Sequence, residues 1–255
     1  MAFQGRVALV TGAASGMGRV AARRLAQVGA RVAAVDLNEE GLLETARGLD
    51  GFHCHPVDVS DAPSVRGLVE RVEADLGPID RVVNAAAIMP TGLLLDMDAD
   101  QIRRVMDVNF TGTVNVALAA LPRMLARGRG DLVNFASIAG WVPNLHFGAY
   151  DASKFAVVAF TEVLHHENRG RGVRILCVCP GKVQTPLLAQ AKSNPRILEM
   201  GARPIAPERV IDGIEPALEA GRVFVFSDWQ TKAGWWLRRF APWLMWRIDH
   251  RAEGF

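Results

Sequence analysis

One tyrosine, three cysteines and almost no excess of charge are the scarcities of this 255-residue chain. The cysteines, Cys54, Cys177 and Cys179, suit a reducing compartment. Cys177 and Cys179 lie two apart on an apolar run, so their side chains share one face and pack as small hydrophobes. A Cys-x-Cys pair without a second cluster is not zinc spacing, so no metal site is expected. Twenty-nine basic against 27 acidic residues leave a net charge of +2, which argues against a nucleic-acid partner. Internal repeats, low-complexity runs and linkers are missing. The opening Met-Ala-Phe-Gln-Gly-Arg has no secretory apolar core, so a cytoplasmic location is expected. What is abundant is ordinary: half the residues are apolar and 22% are charged, as in a globular domain with an ample core.

The single tyrosine, Tyr150, stands four residues before Lys154, on the same face if the segment is helical. A free phenol titrates near 10, and a neighbouring ammonium favours its ionised form. The pair therefore reads as a proton donor and acceptor; alone, it reads equally as a helix cap and a solvated lysine. Its company lies near the other end of the chain. Arg6-Val-Ala-Leu-Val10 is a strand-length apolar run, followed by Thr11-Gly12-Ala13-Ala14-Ser15-Gly16-Met17-Gly18 and a helical pattern through Val20, Ala21, Leu25 and Val28. Strand, glycine turn and helix make a dinucleotide cradle, with the pyrophosphate at the helix N-terminus. A second strand, Arg31–Val35, ends at Asp36, an acid placed to accept hydrogen bonds from the adenosine ribose. Asp36 would repel a 2′-phosphate, and Leu37, Asn38 and Ser15 offer no cation to receive one. NAD is therefore expected over NADP.

Apolar runs near 6–10, 31–35, 52–56, 79–84, 131–135, 173–178 and 222–226 predict strands. They alternate with helical patterns near 16–28, 39–49, 62–76, 99–126, 150–169 and 207–220. Pro63 and Pro207 fall in first helical turns, and Gly29, Gly77 and Gly170 fall at helix ends. The alternation predicts an α/β fold: one doubly wound parallel sheet of seven strands covered by helices on both faces, a Rossmann domain. Asp36, Asn84, Ser137 and Pro180-Gly181 all follow strands, so they converge on the carboxyl edge where such sheets bind ligands.

The ordered motifs resemble the short-chain dehydrogenase/reductase family over roughly residues 5 to 226. Thr11–Gly18 is similar to its glycine-rich segment, and Asp58-Val59 to the pair that contacts adenine. Asn84-Ala85-Ala86-Ala87 stands where the family usually has Asn-Asn-Ala-Gly, with alanine replacing the second Asn and the Gly. Asn109, Ser137, Tyr150 and Lys154 match the catalytic tetrad, and Pro180–Thr185 the segment that closes over nicotinamide. The resemblance implies the following roles. Tyr150 exchanges the substrate proton, and Ser137 stabilises the substrate oxygen. Lys154 depresses the Tyr150 pKa and holds the nicotinamide ribose, and Asn109 holds a water in a proton relay. The expected cofactor contacts are Gly12, Ser15, Gly16, Met17, Gly18, Asp36, Leu37, Asp58, Val59, Asn84, Ala85, Ala86, Tyr150, Lys154, Pro180, Gly181, Val183 and Thr185. A homodimer or homotetramer is also implied.

Substrate walls are expected from 88–95, 138–147 and 182–204, in particular Met89, Trp141, His146, Lys182, Leu187 and Leu188, with Ser137 and Tyr150. So apolar a set points to a hydrophobic small molecule. A dehydrogenase of a hydrophobic secondary alcohol is the leading reading; a 3-oxoacyl-thioester reductase and a non-catalytic dinucleotide-binding scaffold or sensor are the alternatives. Beyond residue 228 the sequence departs from the family's usual Gly-rich ending. Trp229, Trp235, Trp236, Trp243 and Trp246, five of the six tryptophans, interleave there with Arg238, Arg239 and Arg247. This tail, 229–255, is expected to follow a catalytic domain of 1–228 and to be broken in two by Pro242. Its segment Trp235–Ile248 is too short and too charged to span a bilayer. A pocket lid, a subunit interface and peripheral membrane contact all remain open.

Overall fold

β1 (Val7–Thr11) is buried at every residue and β4 (Arg81–Asn84) likewise, the pattern of strands covered on both faces. The computed structural model describes residues 3, 5–191, 195–196 and 203–254. Around β1 and β4 lie β2 (Arg31–Asp36), β3 (Phe52–Pro56), β5 (Gly130–Phe135), β6 (Val173–Cys179) and β7 (Phe224–Phe226). They form one parallel seven-stranded sheet in the order β3-β2-β1-β4-β5-β6-β7. Val7 pairs with Arg31 on one side of β1, and Ala8 with Arg81 on the other. The chain reverses its direction of travel across the sheet between β1 and β4, which opens a crevice at their carboxyl ends.

The period of two along β1 divides the core. Ala8 and Val10 pack with α1 (Gly16–Gln27), α2 (Glu39–Ala46), α7 (Pro207–Asp212) and α8 (Ile214–Glu219). Val7 and Leu9 point the other way, onto α3 (Ala62–Asp75) and α5 (Gly112–Arg127). The remaining helices are α4 (Ala99–Met106), α6 (Gly148–Glu167), α9 (Trp229–Phe240) and α10 (Pro242–Glu253). The fold class is the one expected, and Pro242 does split the tail.

Two predicted helices are interrupted. The span 99–126 contains a π turn at Asp107–Thr111, and 207–220 divides at Gly213. Apolar periodicity runs on through one extra backbone residue, so the π turn leaves no trace in the pattern.

At the amino ends of the central strands the buried Arg81 side chain donates to Asp131 at 3.0 and 2.6 Å and also pairs with Glu215. Arg174 donates to the other Asp131 oxygen at 2.6 Å, and Phe3 lies under the Arg81 guanidinium. Every charge there is matched.

Candidate active site and dinucleotide cleft

The cleft begins where β1 turns into α1. Gly12 has φ +67°, and a Cβ there would sit 2.7 Å from the backbone of Ala85. A Cβ on Gly18 would run into the carbonyl of Gly12. Only glycine lets helix and strand approach this closely. No acid stands in the first turn of α1, so its free N–H groups and dipole favour an anion. The resulting cleft, of about 330 Å³, is lined by Gly12, Ser15, Gly16, Met17, Gly18, Asp36, Leu37, Asp58, Val59, Ala85, Ala86 and Thr185, all of them expected from the sequence. The Thr11 hydroxyl accepts from the N–H groups of Ala85 and Ala86, at 3.1 and 3.3 Å, and so fixes the segment carrying the two alanines. Asp36 is held by N–H groups of Ala14 (3.1 Å) and Asn38 (3.0 Å). Burial pushes the Asp58 carboxyl up, but hydrogen bonds from Ser60 and Arg104 bring it below its ordinary value. Among the described residues lining the cleft the one cation is Arg104, already paired with Asp58 at 2.9 Å. The residues present thus fit a dinucleotide: a phosphate-sized approach to backbone N–H groups, and an oriented carboxylate for a ribose.

A second cavity of about 200 Å³ adjoins it. Met89, Ser137, Tyr150, Lys182, Leu187 and Leu188, expected at the substrate, line it; so do Pro180, Gly181, Val183 and Thr185, expected at the cofactor, together with Ile138, Ala139, Asn144 and Phe147. Ser137 opens a short 3-10 turn, Ile138–Gly140, and accepts from the Ala139 N–H at 3.2 Å. Its hydroxyl also donates to the Pro180 carbonyl at 3.5 Å. Burial pushes the Tyr150 phenol up to about 12; the neighbouring Ser137 opposes this and Asp151 adds to it. Lys154 is buried, its ammonium 5.7 Å from the Tyr150 ring centroid and donating to the Phe135 carbonyl at 2.9 Å. Burial lowers Lys154 to about 8. Lys154 is not among the groups that shift the phenol in this arrangement; its ammonium is directed to a backbone carbonyl.

Several expected contacts lie elsewhere. Asn84 does not face the cleft; its amide donates to Asn134 at 2.9 Å, inside the sheet. Lys154 lies behind Tyr150 and lines neither cavity. The Asn109 side chain is spent on the Ile88 N–H and carbonyl (2.8 and 3.0 Å) and on Ser153 (3.0 Å), so in this arrangement it braces the wall of the cleft. Trp141 turns away from the substrate cavity. Its indole N–H points at Cys179 Sγ (3.4 Å), and its ring meets Phe224 and Trp235. His146 also lies outside that cavity, with left-handed backbone (φ 69°) and its ring 3.7 Å from Glu253 of α10. Part of the predicted wall 182–204 falls outside the described residues.

The tail grips both loops that flank the second cavity. Asp151 accepts from the Asn144 N–H at 2.8 Å, and Asp249 of α10 accepts from the next N–H, Leu145, at 2.7 Å. Burial, with Asp249 nearby, raises the Asp151 carboxyl to about 8. On the other side the Gly181 N–H donates to Ser227 (3.0 Å), which donates to Asp228, the N-cap of α9. Nothing in the local sequence marks these long-range contacts, since each acid reads as an ordinary helix-end residue.

Comparison with known proteins agrees with this geometry. A family model described as short chain dehydrogenase matches residues 6–196, and the chain belongs to that family. It is 41% identical over 201 residues to D-threitol dehydrogenase of Mycolicibacterium smegmatis, covering 76% of each chain. It is 35% identical over 246 residues to 1-deoxy-11-beta-hydroxypentalenate dehydrogenase of Streptomyces avermitilis, covering 92% of this chain and 89% of the relative. It also matches glycine betaine reductase ATRR of Emericella nidulans at 37% identity over 85% of this chain, but spans only 18% of that longer protein. A short-chain dehydrogenase/reductase from Burkholderia phymatum, solved in complex with NAD, superposes with a TM-score of 0.84 at 27% identity over 96% of both chains. The protein is an oxidoreductase of a family that binds NAD(P).

Proposed function

We propose that the protein interconverts a hydrophobic secondary alcohol and its ketone, with NAD as the cofactor. The observation that carries this is the second cavity: Met89, Ile138, Ala139, Phe147, Leu187 and Leu188 form apolar walls over the Ser137–Tyr150 pair. The dinucleotide supplies the hydride chemistry. Tyr150, held protonated by its burial, gives its proton to a carbonyl in reduction; in oxidation it first releases that proton to solvent, and its phenolate then takes the proton of the alcohol. Ser137 hydrogen-bonds the same oxygen and steadies its developing charge. Lys154 and Asn109 act from behind, Lys154 tied to the Phe135 carbonyl and Asn109 bracing the wall of the cleft. Support for NAD comes from Asp36, whose carboxylate is fixed by two backbone N–H groups beside a cleft whose cation is already paired.

The test is a panel of alcohols offered with NAD, with NADH absorbance as the readout. An apolar secondary alcohol should exceed D-threitol in kcat/KM by at least about tenfold, the worth of one or two well-buried methylene groups. A preference for the polyol would overturn the hydrophobic assignment and leave the reaction class intact.

A further inference from the structure

The two tail helices present unlike faces. Inward, Trp235 packs against Trp141 and Phe226, each at 5.7 Å between ring centroids, and Thr231, Asp249 and Ala252 are buried. Outward, positions 229, 232, 233, 236, 239 and 240 share one face of α9, at the spacing of a helical stripe. That face carries Trp229 at 76% exposure, Trp236 at 47% and Phe240 at 69%, the last two stacked with ring centroids 5.2 Å apart. On α10, Trp243 is 65% exposed and Ile248 39%.

The charges are sorted as sharply. The fully charged side chains exposed on the described tail are Lys232, Arg239, Arg247 and Arg251, all cations. Both acids of the tail, Asp249 and Glu253, are turned inward. A face of exposed tryptophan and phenylalanine whose ionic groups are basic alone matches one surface well: the headgroup layer of an anionic bilayer, where aromatic rings settle at the interface and cations meet lipid phosphates. A second copy fits poorly, because a two-fold contact through this face would bring its cations towards their own counterparts. No helix among the described residues is long and apolar enough to cross a membrane, so the helices would lie along the surface.

We propose that the outer face of α9–α10 seats the protein on anionic membrane surfaces. Each basic side chain near such a surface strengthens attachment about fivefold, and the exposed rings add apolar insertion.

The test uses the full chain with phosphatidylcholine vesicles, with and without phosphatidylglycerol. Co-sedimentation is expected with the anionic vesicles and little with the neutral ones, accompanied by a blue shift of tryptophan emission, since five of the six tryptophans lie in the tail. Arg239→Glu with Arg247→Glu should weaken attachment at least tenfold and leave turnover in buffer unchanged. Trp236→Ser with Trp243→Ser should shrink the blue shift. Should that pair disturb folding, the charge reversal at two exposed arginines still decides. Two results would overturn the proposal: no partition into anionic vesicles, or partition untouched by the charge reversal. So would self-association in sedimentation velocity that is lost with these substitutions while vesicles are ignored; that result would make the face a subunit contact.

Discussion

The two ends of the sheet treat buried charge in opposite ways. At the amino end Arg81, Asp131, Arg174 and Glu215 lie together and each ion meets its opposite. At the carboxyl end Tyr150, Asp151 and Lys154 are also buried, but burial wins over pairing and favours the neutral form of each. Pairing holds ions in fixed states and serves the scaffold. Unpaired burial leaves protons exchangeable and serves chemistry.

The sharpest way to separate the two ends is Tyr150→Phe. Turnover should fall by roughly 10²–10⁴-fold, with the melting temperature and dinucleotide affinity close to those of the parent. The chain has no other tyrosine to take over. Turnover within a few-fold of the parent would remove Tyr150 from its assigned role.

The mirror experiment is Arg81→Met. It leaves Asp131 with Arg174 alone and strands Glu215, so urea unfolding should show a loss of about 3–5 kcal/mol. The kcat/KM of the folded fraction should stay unchanged. A fall in kcat/KM without a loss of stability would mean that the two ends are not separate.

A smaller effect tests the cleft. Asp36→Ala with Leu37→Arg removes the repelling carboxylate and adds a phosphate partner. The ratio of NADP to NAD use should rise by roughly 10–100-fold, the worth of a charge-assisted contact. A parent enzyme that already prefers NADP would refute the reading of the end of β2.

The smallest effect concerns Asp151. Its carboxyl is raised to about 8 in the folded chain, against about 3.9 in an unfolded one. Between those values the folded state holds the extra proton, so stability falls as pH rises from about 4 to 8 and is level above that. The other ionisable groups facing this site are Asp249, Glu253, His146 and His250. Asp151→Asn keeps an acceptor for the Asn144 N–H and should flatten the slope across the window. Chemical denaturation at a series of pH values measures it. An unchanged slope would place the titration on another group.

The carboxyl end was the more legible of the two in the sequence. The glycine loop, Asp36, Ser137 and Tyr150 are set by local constraints: a Cβ that would clash, an acid at a strand end, a lone phenol one helical turn from a lysine. What escaped depends on where side chains turn after the backbone is in place. Trp141 follows Ser137 closely, yet the short turn at Ile138–Gly140 swings its indole to the β6–β7 edge. Asn84 ends a strand as a cofactor ligand would, but β5 offers it Asn134. Arg104 lines the cleft from a helix whose pattern marks only a solvated face. The amino-end ion network joins residues from β4, β5, β6 and α8, and no local spacing announces it.

The tail's double hold, on Gly181 through Ser227 and on Leu145 through Asp249, has a thermodynamic consequence. A ligand in the cavity and whatever α9–α10 rest upon share one mechanical frame. If both discriminate between two seatings of the tail, each changes the other's affinity by the same factor. An attached enzyme would then bind its substrate with a shifted Kd, and saturating substrate would shift attachment by the matching ratio. Measuring the two ratios separately, and finding them equal, would establish reciprocity between sites that need not touch.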